Sequence, residues 1–336
     1  MKKTIKNVII VMAVAMLFIS CNADLASYGK GLFESMMTSA PNADYTIKRF
    51  AGTHGNDFIV ETEAGIATLS KNGTKTTIVE ELHPEVAFTL GNDLYYKVKD
   101  ANKSNVLLKK VSFDDLSTST EVTIKNGEKT LKIQKSFYEN EDYSALLVDD
   151  NGNWFIGKTP ENTAVDNEVT FASITECKLN GDSKAENIAY IGNGYYRIKY
   201  DSAYRVFNIA GAEIKLEGKA FSSLPMAVEN NYLFLQDGRI CKIDDTSATV
   251  VSNVKHSVGY IQTNNDVPMV TVDSTIYGCY GAKPFTFNGT TYSDHEAIGS
   301  GVVIIDLIHD GTDFYAFSAE NGLYVSKDGK SYKRAN

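Results

Sequence analysis

Five side chains in this sequence have the types and the company to do chemistry: His83, His256 and the consecutive trio Asp294-His295-Glu296. Three imidazoles meeting on one surface could ligate zinc, and one imidazole beside a carboxylate could act as a general base. The plain alternative is that the three histidines are solvated loop residues, because nothing in their spacing draws them together. The run Asp149-Asp150-Asn151-Gly152-Asn153 also sets oxygen ligands at calcium-loop spacing. It lacks the glutamate that completes an EF-hand loop, and hairpin turns favour the same residues, so we read it as a turn.

No P-loop, dinucleotide fingerprint, HExxH pair or nucleophile elbow occurs in the chain. The sequence therefore names no catalytic residue, and no resident metal or cofactor is expected. Cys177, Cys241 and Cys279 sit in alternating apolar stretches such as Arg239-Ile240-Cys241-Lys242-Ile243, which reads as buried free thiols. A disulfide between Cys241 and Cys279 stays open, because both fall on expected third strands of neighbouring repeats. Any of the nineteen tyrosines left on a rim could stack on a sugar ring or anchor a protein partner.

The elements that must position these residues are set by a short turn that recurs seven times. Gly55-Asn56-Asp57-Phe58 and Gly91-Asn92-Asp93-Leu94 show it best. Weaker copies are Asn140-Glu141-Asp142-Tyr143, Gly192-Asn193-Gly194-Tyr195, Glu229-Asn230-Asn231-Tyr232, Asn264-Asn265-Asp266-Val267 and Gly311-Thr312-Asp313-Phe314. Gly, Asn and Asp tolerate the positive φ of a tight hairpin, and the apolar residue opens the next strand. Successive copies lie 36, 49, 52, 37, 35 and 47 residues apart. Repeats of that length, each holding several short strands, predict an all-β fold built as a single β-propeller.

The 292 residues of 45–336 give about 42 for each of seven four-stranded blades. A count of six or eight stays open because the third unit is the longest and could be divided. The second unit shows the grammar: Val86, Phe88 and Leu90 alternate on an inner strand, and further strands follow from Leu94, Val106 and Glu121. In the third unit, strands start at Leu131, Tyr143, Trp154 and Val169, with Lys158 to Asn167 expected as a long loop. Both terminal blades read as complete, so the ring should close by packing alone. On this frame His83, His256 and Asp294-His295-Glu296 all fall in loops from an outer strand to the next inner one, a rim where propellers commonly place sites.

The N-terminus stands apart. Lys2, Lys3 and Lys6 precede an unbroken apolar run from Val8 to Ile19, too short to span a bilayer and of the length of a signal-peptide core. It ends Leu17-Phe18-Ile19-Ser20-Cys21, which resembles the lipobox of bacterial lipoproteins. The resemblance implies a signal peptide over 1–20, acylation of Cys21 as the first mature residue, and a membrane tether in the cell envelope. Several acyl chains hold firmly where one binds reversibly. In the tether, 21–44, Leu25, Tyr28, Leu32, Phe33, Met36 and Met37 follow helical spacing and predict a short amphipathic helix. That helix either docks on its own propeller or lies on a partner or membrane. The formal charge is −9 for the whole chain, and 1–20 carries three lysines and no acid, so the mature chain is more acidic still. With no basic run anywhere, nucleic acid is excluded as a partner.

Ser326-Lys327-Asp328-Gly329-Lys330-Ser331-Tyr332 resembles a shortened Asp-box, the turn that decorates sialidases and related propellers, and Ser70-Lys71-Asn72-Gly73 is a poorer copy. In that family the box is structural, so the likeness implies a fold and not an activity. Sialidases resemble one another in using three arginines on the substrate carboxylate. Beyond the signal segment only Arg49, Arg197, Arg205, Arg239 and Arg334 are present, too scattered to converge, so we reject sialidase. The single Trp154 excludes the quinoprotein pattern of one Trp per blade. The expected function is a membrane-anchored, extracytoplasmic binding or assembly platform with an envelope protein or glycan partner. The alternative is an extracytoplasmic glycan hydrolase or lyase with its site on the propeller rim.

Overall fold

Period-two alternation becomes antiparallel strands wherever a tight turn closes it. The computed structural model describes residues 46–80, 86–99, 106–139, 142–177, 188–200, 203–254, 267–320 and 322–335, all within the unit Tyr45–Asn336. Among the described residues every regular element is a strand, and consecutive strands form seven four-stranded meanders. The first is β1 (Ile47–His54), β2 (Asp57–Thr62), β3 (Ile66–Leu69) and β4 (Lys75–Val79). The second is β5 (Ala87–Leu90), β6 (Asp93–Lys99), β7 (Val106–Ser112) and β8 (Asp115–Asn126). The third is β9 (Lys129–Glu139), β10 (Asp142–Val148), β11 (Trp154–Asn162) and β12 (Glu168–Glu176). The fourth is β13 (Ile188–Gly192), β14 (Tyr195–Tyr200), β15 (Ala203–Asn208) and β16 (Glu213–Leu216). The fifth is β17 (Pro225–Glu229), β18 (Tyr232–Leu235), β19 (Arg239–Asp244) and β20 (Ser247–Asn253). The sixth is β21 (Met269–Val272), β22 (Thr275–Tyr280), β23 (Lys283–Phe287) and β24 (Tyr292–Asp294). The seventh is β25 (Ile304–His309), β26 (Phe314–Ser318), β27 (Gly322–Ser326) and β28 (Lys333–Arg334).

Buried side chains bind each meander to the next and the last to the first. Ile59, Ala87 and Leu94 share a core between the first and second, and Phe88, Leu131 and Phe171 between the second and third. Ile156 and Tyr196 join the third to the fourth, and Val206 and Leu233 the fourth to the fifth. Phe234 and Phe285 join the fifth to the sixth, and Cys279 and Ile304 the sixth to the seventh. The circle closes where Phe50 of the first meander stacks on Phe317 of the seventh and Phe58 meets Tyr315 edge to face. Each such ring or aliphatic chain contributes about 1.5–3 kcal/mol when fully buried. Each terminal meander is built from its own segment of chain, so closure is by packing, as the sequence predicts.

Two joints carry strand pairing as well. A hairpin pairs β8 with β9, and β8 also lies parallel to β12 at Glu168↔Thr123 and Val169↔Ile124. In the same manner β16 runs parallel to β20 at Lys215↔Ser247 and Leu216↔Ala248. The second and third meanders thus share one eight-stranded sheet, and the fourth and fifth share another.

The repeated turn separates the first and second strands of six meanders. The sixth meander is different. Its turn is Asp273-Ser274, both at positive φ (46° and 65°), and not Asn264-Asn265-Asp266, which lies outside the described residues. Asp and Ser reach the left-handed region through local hydrogen bonding, without the Gly or Asn that marks the other copies. The shift moves Cys279 to β22, a second strand, while Cys241 stays on the third strand β19; both are free thiols with 1% exposure or less. The loop expected over Lys158 to Asn167 is also corrected. Here β11 continues through Pro160, which sits opposite Phe171, and ends at Asn162. A proline costs a strand only the N–H bond it cannot donate.

Candidate functional site

The first strand of each meander lies nearest the ring axis, and all of them but β9 are sheet edges. Around that axis lies a cavity of about 890 Å³, lined by the first strands of all meanders except the second. It reaches the turns at one end of the ring, where Gly55, Asn56, Lys71 and Asp310 meet it. The strand β5 is set back, because β1 and β9 meet in front of it. The Arg49 guanidinium donates to the Ser136 carbonyl at 2.6 Å and to Ser136 Oγ at 3.1 Å, and Ser136 Oγ donates in turn to the Ala87 carbonyl at 2.8 Å. Close approach demands glycine here. A Cβ on Gly52, at φ 131°, would fall 1.8 Å from Tyr143 Oη, which bonds Thr89 Oγ1 at 2.8 Å.

Arg49 also forms an ion pair with Glu61, its cross-strand neighbour on β2. Glu61 is 3% exposed. Burial pushes its carboxyl up, and the Arg49 charge and hydrogen bond pull it back part of the way. At the turn end, Lys71 pairs with Asp310 and links the first meander to the seventh; the Asp310 carboxyl titrates at about 2, its burial outweighed by the Lys71 hydrogen bond and the N–H groups of Asp313 and Thr312.

The opposite wall holds two carboxylates with no such cation in contact. Glu139 ends β9 and Glu229 ends β17. Between them stands Asn193, at φ 50°: its N–H donates to Glu139 Oε1 at 3.1 Å, and its Nδ2 donates to Glu229 Oε2 at 3.1 Å and to the Val228 carbonyl at 3.0 Å. Gly192 precedes it at φ 99°, where a Cβ would press to 2.6 Å from the Val228 oxygen. The Tyr190 hydroxyl donates to Glu139 Oε2 at 2.6 Å, and Thr271 Oγ1 of β21 donates to Glu229 Oε1. Four consecutive meanders, the third to the sixth, are joined by this chain. Burial raises both carboxyls above the usual range; the Tyr190 hydroxyl limits the rise at Glu139, and the Glu139 charge adds to it at Glu229.

The residues singled out from the sequence lie elsewhere. His83 and His256 fall outside the described residues. The Asp294 carboxylate, at the end of β24, is taken by Lys283 Nζ at 2.7 Å and Tyr292 Oη at 2.9 Å. The His295 Nε2 bonds Thr286 Oγ1 at 3.0 Å, burial lowers its pKa, and Glu296 is exposed. Among the described residues no three His, Cys, Asp or Glu side chains are grouped to hold a metal ion. Cys21 also lies outside them. The Asp149 run is a turn: Asp149 Oδ1 accepts the N–H groups of Asn151 and Asn153, both at 2.9 Å. The channel carboxylates escaped the sequence reading although the repeat marks their place. Glu139 stands immediately before its copy of the turn and Glu229 opens its own, each at the last position of a strand on the axis.

No known family profile matches the chain, and no curated protein matches it in sequence. Solved structures do match in architecture. A catalytically inactive virginiamycin B lyase from Staphylococcus aureus superposes with a TM-score of 0.50 at 11% identity, over 84% of this chain and 95% of that one. The WD40 β-propeller domain of Doa1 gives 0.50 at 12% identity, over 86% and 96%. Likeness at such identities is likeness of fold, and with the meanders and the closed circle of cores it defines a β-propeller.

Proposed function

We propose that this chain is a bacterial envelope lipoprotein whose seven-bladed propeller serves as a non-catalytic binding or assembly platform, with a protein or glycan partner. The observation that carries the platform reading is the state of the carboxylates in the channel and just behind its wall. Glu61 is held by Arg49, Asp310 by Lys71, Glu139 by Tyr190 and Asn193, and Glu229 by Asn193 and Thr271. A glycosidase needs two carboxyl groups turned toward the sugar with room for water or attack between them. Here Asp310, Glu139 and Glu229 are tied to neighbouring blades and Glu61 to Arg49 of its own, and these ties hold the ring in one shape.

The anchor rests on the sequence: residues 1–20 as signal peptide, 21–44 as a tether with a short helix, 45–336 as the propeller, and Cys21 as the acylated residue. An Asp-box type of propeller is supported by the turn between β27 and β28. Asp328 Oδ1 accepts the N–H groups of Lys330 (2.9 Å) and Ser331 (3.0 Å), and Ser326 Oγ accepts that of Gly329 (3.0 Å). The copy between β3 and β4 repeats the pattern, with Thr74 N–H donating to Asn72 Oδ1. Labelled palmitate should enter the wild-type protein, and Cys21→Ser should both abolish the label and release soluble protein. Label retained in that variant refutes the anchor.

A second reading, a glycan hydrolase or lyase, has one observation in its favour. A carboxyl raised by burial, such as Glu229, is what a general acid at neutral pH requires, and it faces a roomy cavity. Incubation of the purified propeller with a glycan panel separates the readings, since turnover supports only the second.

A further inference from the structure

One face of β9 carries Lys135, Phe137 and Glu139, alternate residues in an unbroken register with β10, so the first and last stand about 13 Å apart along the strand. The two ends of that face lie among opposite charges. At the Lys135 end, Lys48 and Arg49 of β1 join Lys135 around the Glu61 carboxylate, with Arg49 in direct contact, and Lys48 also reaches Glu63 at 3.3 Å. The Lys135 Nζ lies 5.0 Å from the centre of the Phe137 ring. At the Glu139 end, Asn193 joins Glu139 to Glu229, and the Lys158 charge reaches Glu139. On the side of the cavity formed by β21 and β25 stand half-buried Met269, Val270, Ile305 and Ile308, with the Asp306 carboxylate accepting the Leu307 N–H at 3.0 Å.

We infer that the channel is a binding site for a short extended peptide with free ends, about four residues long, whose ammonium meets Glu139 and Glu229 and whose carboxylate meets Lys48, Arg49 and Lys135. Length follows from the wall itself. An extended chain advances about 3.3–3.6 Å per residue, so four residues cover the distance from Lys135 to Glu139. Charge sets the direction. At one pole three cations face two carboxylates, Glu61 and Glu63; at the other, Glu139 and Glu229 face Lys158, while Lys71 and Asp310 balance each other. Burial raises both glutamates, and an incoming ammonium supplies the full countercharge that hydroxyl and amide donors do not. A simple ion would be attracted by one pole and repelled by the other, whereas a zwitterion of this length satisfies both. Between the poles the peptide runs beside β13, β17, β21 and β25, whose edges offer backbone groups, and its side chains meet the apolar residues of β21 and β25. The cavity of about 890 Å³ is of the size that small ligands occupy. The site goes beyond the platform reading and does not rest on it, since a partner on the outer faces and a peptide in the channel are detected separately.

The test is equilibrium dialysis of the full chain carrying Cys21→Ser, free of detergent so that no other acyl chain competes. The probes are the tetrapeptide Ala-Leu-Ala-Leu, its N-acetylated and C-amidated forms, and the matching dipeptide and octapeptide. The free tetrapeptide should bind about tenfold or more tightly than either blocked form, and more tightly than the shorter and longer peptides. Lys135→Met should weaken the free tetrapeptide by about tenfold and leave the C-amide unchanged. Glu229→Gln should weaken the free tetrapeptide and leave the N-acetyl form unchanged. No binding at about 1 mM peptide, blocked forms that bind as well as the free one, or a variant that weakens free and blocked forms alike overturns the site. Should a variant fail to fold, the blocked and free peptides decide alone on the chain without it.

Discussion

Two sides of the ring shield carboxylates, Glu61 fully buried and Glu139 and Glu229 half-buried, and compensate them differently. On one, Glu61 meets the Arg49 guanidinium, which also reaches Ser136 and so braces the first three blades. On the other, Glu139 and Glu229 meet hydroxyl, amide and backbone donors that link the third blade to the sixth. A full countercharge makes a tie that tolerates pH but depends on one residue. Dipoles spread the load over several residues, none of which neutralises the charge, and so leave the tie open to protonation.

The largest effect should come from Arg49→Met. It strands Glu61 without its partner, at a cost of about 3–5 kcal/mol in chemical denaturation. Replacing Glu61 with Leu in the same protein should recover much of that loss, because removing both charges removes the burial problem. A single variant that loses less than about 1 kcal/mol would show the two walls to be alike after all.

Next comes the close contact behind the Arg49 wall. Gly52→Ala forces a methyl onto Tyr143 Oη at a φ of 131°, and about 2–3 kcal/mol should be lost. Tyr143→Phe in the Gly52→Ala background should return part of it, by removing the atom struck.

The smallest effect sharpens the comparison from outside the channel. Asp328 is a carboxylate answered by backbone N–H groups, as on the second wall, but it is exposed. Those bonds to Ser331 and Lys330 hold its carboxyl below the usual value. Its contribution is therefore present above the ordinary aspartate range and lost as pH falls, opposite in sign to that of the raised carboxyls Glu139 and Glu229. Asp328→Ala should cost about 1 kcal/mol at neutral pH and nearly nothing below about pH 3.

What was legible in the sequence is what depends on local backbone chemistry. Gly55-Asn56, Gly91-Asn92 and Asn230-Asn231 announce their hairpins because few residues accept positive φ, and alternation then phases the strands. Asp273-Ser274 does the same work without those residues, so the sixth turn was sought in the wrong place and Cys279 on the wrong strand. Pro160 reads as the middle of a loop, yet β12 pairs across it and keeps it in a strand. The channel site was illegible for a different reason. Glu139, Asn193 and Glu229 follow one another at steps of 54 and 36 residues along the chain, and only closure of the ring sets them side by side. Histidines drew attention by type, whereas the carboxylates matter by position.

The perimeter has a consequence of its own. Where β8 lies along β12, and β16 along β20, main-chain bonds fasten neighbouring blades at their outer edges. The ring is accordingly a polygon with two sides stiffened by paired strands, and thermal breathing should concentrate at the corners without such pairing. A protease or a pulling force should find the two eight-stranded sheets leaving as units and the four-stranded sheets peeling away first.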